Sequence, residues 1–100
     1  MNETTAGYST FSSASFMLMY GDGSSRERLA NALQKAVTQE ADELTGQQQR
    51  VFRQIRAERI RDRDSKQMLE LVESLNEARM HQLTEAIARL YFMVVNPDAT

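Results

Sequence analysis

The chain of 100 residues contains no cysteine, which removes disulfides, thiolate zinc sites and cysteine nucleophiles together. That composition suits a reducing interior, so the cytoplasm is the default expectation and export the alternative. No apolar run approaches the roughly 20 residues that crossing a bilayer takes. The strongest run near the N-terminus, Phe16-Met17-Leu18-Met19-Tyr20, follows a segment without Lys or Arg. It therefore has neither the basic flank nor the length of a secretory signal.

The ingredients of catalysis are equally sparse. There is a single histidine, His81, and the serines crowd into the first 25 residues. Gly21-Asp22-Gly23-Ser24-Ser25 precedes a helix-forming stretch but lacks the lysine and the spacing of a phosphate-binding loop. Catalysis needs an activated nucleophile, or an acid and a base held in a dry pocket, and no such constellation stands out. The sequence reads as non-enzymatic, with no cofactor. His81 has Glu77 and Glu85 one turn to either side on a helix, a spacing open to a metal but generic in a Glu-rich helix; a solvated histidine beside two carboxylates is the reading taken, with no metal site.

What the chain does have is charge in blocks. Residues 1–49 carry three basic and six acidic side chains, residues 50–66 seven and three, and residues 67–100 two and five. The net charges are -3, +4 and -3, for a total of -2. A basic belt between two acidic segments suits charge matching between helices or chains, and next to that a local anion site.

Three regions follow from the patterning. Residues 1–23 read as a flexible Ser/Thr-rich segment, because such side chains compete for backbone hydrogen bonds. Its apolar patch 16–20 is expected to pack back over the helices, or else to meet a partner. Residues 24–95 read as a helical hairpin domain, and 96–100 as a C-terminal tail.

Ser24 and Glu27 have the spacing of a capping box, so the first helix should begin there. Leu29, Leu33, Ala36/Val37, Ala41, Leu44, Gln48, Val51 and Ile55 then recur three and four apart. Because the phase of this stripe passes Gly46 without a slip, one helix is expected to about Arg61, with a kink at 45–47 as the alternative. At 1.5 Å per residue it would be about 55 Å long. The corner falls at 61–65, where Asp64 and Gln67 repeat the box spacing. The second helix presents Leu69, Val72, Asn76, Met80, Leu83, Ile87, Leu90 and Val94, close to a heptad repeat, and ends at Asn96-Pro97-Asp98.

The fold expected is all-α: a long antiparallel helical hairpin, completed as a four-helix bundle or coiled-coil assembly. The apolar arc of the second helix is wider than one seam requires, and a chain of this size is marginal alone. The assembly interface is assigned to Leu69, Val72, Asn76, Met80, Leu83, Ile87, Leu90 and Val94, with Leu44, Val51 and Ile55 from the first helix. Asn76 in that seam would either fix register or sit in water at its edge.

Arg50, Arg53, Arg56, Arg59, Arg63 and Lys66 form a candidate anion or carboxylate-pairing patch. Pairing with Glu70, Glu73 and Glu77 of the second helix, or of another subunit, is the primary reading, since Glu58, Asp62 and Asp64 dilute the positive charge. Binding of nucleic acid through 50–66 is the alternative. In general plan, residues 24–95 resemble small helical components and chaperones of bacterial secretion machines, a resemblance that implies apolar stripes meeting another protein's helices and carries over no site residue. The functional expectation is a protein-interaction module that is self-assembling, or a small adaptor or chaperone sheltering a partner's amphipathic helices.

Overall fold

The computed structural model describes residues 7–56 and 64–96. Among the described residues five α-helices follow one another: α1 Tyr8–Tyr20, α2 Ser25–Ala36, α3 Gly46–Arg56, α4 Ser65–Ser74 and α5 Glu77–Val95, with a single 3-10 turn at Ala41–Glu43. The longest dimension is 39 Å and the radius of gyration 12.9 Å. A straight helix of the length expected from the stripe would overrun that dimension. The chain folds as a compact five-helix bundle, and the expected hairpin is replaced by shorter helices that turn back on each other.

The first correction concerns residues 8–20, expected to be flexible and found as α1. Serine is only mildly unfavourable in a helix, and Phe11, Ala14 and Ser15 recur at helical spacing and are buried. Phe11 sets its ring edge-on to Phe52 of α3, with centroids 5.9 Å apart. Gly7 opens α1 with a positive φ of 86°, where a Cβ would also collide with the Phe11 ring. Gly23, at φ 92°, turns the chain into α2.

The second correction divides the expected first helix. α2 ends at Ala36, and α3 starts only at Gly46. Ala36, Val37, Leu44, Gln48, Val51 and Ile55 are nonetheless all buried, so the stripe marked the core side correctly while the intervening loop and 3-10 turn happen to keep its phase. Thr45 supplies the start signal for α3. Its hydroxyl accepts from the Gln48 amide (3.3 Å) and the Gln48 side chain accepts from the Thr45 amide (3.1 Å), a reciprocal box. The Gln49 carboxamide then donates to the Ala41 and Leu44 carbonyls, at 3.0 and 3.1 Å, tying the 3-10 turn to α3.

The third correction divides the second helix at Leu75. Asn76 is not a seam residue: it is exposed, and its side chain accepts from the Arg79 amide at 2.8 Å as the N-cap of α5. The break leaves carbonyls at the end of α4 without partners inside that helix. Arg26 of α2 meets them, its Nη1 donating to the Val72 and Leu75 carbonyls at 2.6 and 3.0 Å. Arg79 serves the end of α3 in the same way, donating to the Gln54 carbonyl at 3.0 Å.

The boxes at Ser24/Glu27 and Asp64/Gln67 both form as the spacing predicts. α1 packs on α2 and α5, α2 on α4, and α3 on α5. One core results, with Phe11, Leu29, Leu33, Phe52, Ile55, Met68, Leu83, Ile87 and Leu90 at its centre.

Candidate interaction surface

Leu83, Ile87 and Leu90, expected to await a partner, are each 0 % exposed within the single chain. Val72, Val94, Leu44, Val51 and Ile55 are buried with them, while Leu69 and Met80 are partly buried against the same core. The wide arc of α4 and α5 is covered by α1, α2 and α3. The cover expected from a second molecule is supplied within the chain. The missing layer came from α1 and from the breaks that let the other helices fold back.

The basic patch is only partly brought together. Arg50 and Arg53 are exposed on α3 and Lys66 is exposed on the first turn of α4. The side chain of Arg56, and Arg59 and Arg63 entirely, lie outside the described residues, as do the end of the expected first helix at Arg61 and the Pro97-Asp98 stop. Among the described residues no salt bridge joins Arg50, Arg53 or Lys66 to Glu70, Glu73 or Glu77. His81 lies 3.3 Å from Glu85, both in solvent. Among the described residues no group of three metal-ligating side chains converges, and no helix is long and apolar enough to cross a membrane.

A hollow of about 330 Å³ lies between α2 and α5, lined by Ser25, Arg26, Glu77, Met80, His81 and Thr84. Two helix N-termini meet there. Both are already capped, by Ser24 and by Asn76, and the Arg26 guanidinium is committed to the end of α4. The hollow therefore reads as the seam where α2, α4 and α5 are tied.

An apolar face remains open on α1. Phe16, Met19 and Tyr20 are 60, 62 and 69 % exposed, while Met17 and Leu18 rest partly against the core. The apolar run thus packs back over the helices with two side chains and turns three outward. The rings of Phe16 and Tyr20, one turn apart, lie with centroids 5.0 Å apart. α1 carries no Asp, Glu, Lys, Arg or His along its whole length, so nothing polar by charge interrupts this surface. Among the described residues, Phe92 and Val95, three apart on the last turns of α5, are the other exposed large apolar pair outside α1.

The signal for the α1 face was available as two interleaved spacings, 11-14-15-18 for the inner side and 9-13-16-20 for the outer. The serine content concealed both. Comparison with protein-family models, curated proteins and solved structures gives no match to this chain.

Proposed function

We propose that the chain is a non-enzymatic helical protein-interaction module whose contact surface is the outer face of α1. The observation that carries this reading is the exposure of Phe16, Met19 and Tyr20 together on one uncharged helix whose inner side is packed into the core. Aromatic residues and methionine are enriched at the centres of protein interfaces, and charged residues are depleted there. Large apolar groups held in water by a folded scaffold mark such sites more often than they mark a defect in packing. An adaptor or chaperone that shelters a partner's amphipathic helix is the form of this function that the sequence pattern first suggested, and the surface on α1 is where that helix would lie. The cytoplasm is the compartment in which to look for it.

The test compares wild type with Phe16→Glu in quantitative co-purification from the native cell. Phe16→Glu keeps the wild-type far-ultraviolet spectrum and melt but loses the partners that wild type retains. An unchanged partner profile for a folded Phe16→Glu protein overturns the reading. The second reading, nucleic-acid binding, is favoured by one observation, the exposure of Arg50 and Arg53 three apart on α3. It requires binding to duplex DNA or structured RNA that appears at low salt and weakens as salt rises. Absence of binding at low salt removes it.

A further inference from the structure

We infer that the occupant of the α1 face is a second copy of the chain, seated so that the two α1 helices run antiparallel about a two-fold axis near residues 14–15. This rests on the interaction-module reading above and adds the identity and orientation of the partner.

Three observations point to it. The first is the stripe itself. Ser9, Ser13, Phe16 and Tyr20 lie opposite the buried Phe11, Ala14 and Ser15 on α1, at spacings of four, three and four. That order reads the same from either end, so an antiparallel copy presents the same row of positions. The second is size. Reversal about the midpoint places Tyr20 over Ser9 of the other copy and Phe16 over its Ser13, large side chain on small. A parallel pairing would instead stack Phe16 on Phe16 and leave the serines facing each other across a gap. Alternation of large and small residues across facing positions is how two helices reach close packing.

The third observation is electrostatic. In an isologous interface every residue meets the same patch on its partner, so any net charge in the patch repels itself. The chain carries a net charge of -2, yet α1 contributes none of the charged side chains. Among the helices of the described residues it is the one without an acidic or basic residue. An uncharged face of this kind can meet its own copy at no electrostatic cost. A lipid surface is a poorer match, since helices that lie on membranes carry Lys and Arg beside the apolar face.

The interface is small. α1 spans 13 residues, about 20 Å of helix, and one face of so short a helix offers less area than the roughly 800 Å² per partner that standard stable complexes bury. Association is accordingly weak and dependent on concentration.

The experiment is sedimentation equilibrium of the wild-type chain from about 10 to about 500 µM, paired with disulfide trapping. Because the chain has no cysteine, Ser9→Cys and Tyr20→Cys proteins each carry a single thiol. The wild-type mass should climb toward twice that of the monomer, while Phe16→Glu stays at the monomer mass with an unchanged melt. Under mild oxidation an equimolar mixture of Ser9→Cys and Tyr20→Cys should give a mixed disulfide at least tenfold faster than either protein alone gives its own. A monomeric wild type across the range overturns the proposal, and so does Tyr20→Cys linking to itself as fast as the mixture. If wild type is monomeric but Phe16→Glu still loses a heterologous partner, the second copy is wrong and the interaction reading stands. If Phe16→Glu matches wild type in both mass and partners, both fail.

Discussion

The apolar stripe of α5 from Leu83 to Leu90 and the C-terminal half of α1 both carry large apolar side chains, and they meet opposite fates. In α5, Leu83, Ile87 and Leu90 vanish into the core. In α1, Phe16, Met19 and Tyr20 stay in water although Phe11 and Ala14 of the same helix are fully buried. Apolar density therefore does not say which surface is left over. What separates the two is where the neighbours lie: the Leu83–Leu90 side of α5 is covered by α1, α2 and α3, whereas α1 packs on α2 and α5 and reaches Phe52 of α3 through Phe11, all on its inner side, away from Phe16 and Tyr20.

Substitution sharpens this contrast, and the largest effect belongs in α5. Leu83→Glu places a carboxylate where no partner or water reaches it. An unpaired buried ion costs several kcal/mol, a large part of the about 5–15 kcal/mol that holds a domain together. Circular dichroism should show an unfolded or molten chain. Ile87→Ala is the milder version, losing about 2–5 kcal/mol in urea denaturation. Phe16→Glu, by contrast, should stay within about 0.5 kcal/mol of wild type, as a surface change does. Equal losses at positions 16 and 87 would erase the distinction between the two runs.

Next in size are the ties at helix ends. Arg26→Met keeps the aliphatic stem but abandons the Val72 and Leu75 carbonyls, and should cost about 1–3 kcal/mol by the same denaturation curve. Asn76→Ala removes the cap of α5 and should cost about 1 kcal/mol. If Asn76 were a seam residue setting register, the substitution would stabilise the fold instead.

These helix ends also show what could be read from sequence and what could not. The boxes at Ser24/Glu27 and Asp64/Gln67 were legible because their chemistry is complete within four residues. The inner faces were legible because burial imposes a period, and the predicted stripe from Leu29 to Ile55 is buried almost throughout. The breaks after Ala36 and Ser74 were hidden because the stripe stays in phase across both. Only local signals, Thr45 with Gln48 and Asn76 before Glu77, stood against a continuous helix. Arg26 closing the end of α4, 46 residues away, is a tertiary contact that no local spacing announces.

Two small effects complete the series. Gly46 opens α3 with nothing within 4 Å of where a Cβ would stand. Gly46→Ala should raise stability by about 0.4–1 kcal/mol through the less flexible unfolded chain, read as a higher urea midpoint. The capping carboxylate of Glu27 is held below its ordinary pKa, first by the hydrogen bond from the Ser24 amide and then by the Ser24 hydroxyl. A depressed folded pKa gives a stabilisation that is present above the ordinary value and is lost as pH falls through the lowered one. The urea midpoint of wild type should decline slightly over that acid window, and Glu27→Gln, which cannot titrate, should decline less.

The central claim is that one chain closes its own core and leaves the Phe16, Met19 and Tyr20 face of α1 outside it. Its most direct measurement is the thermal midpoint of Phe16→Glu followed from about 0.5 to about 50 µM, since a fold that depends on assembly must melt lower on dilution. A single cooperative melt whose midpoint does not move with concentration is the result this structure predicts. A midpoint that falls steadily on dilution would contradict it, because the buried faces of α4 and α5 would then need a second molecule to stay dry.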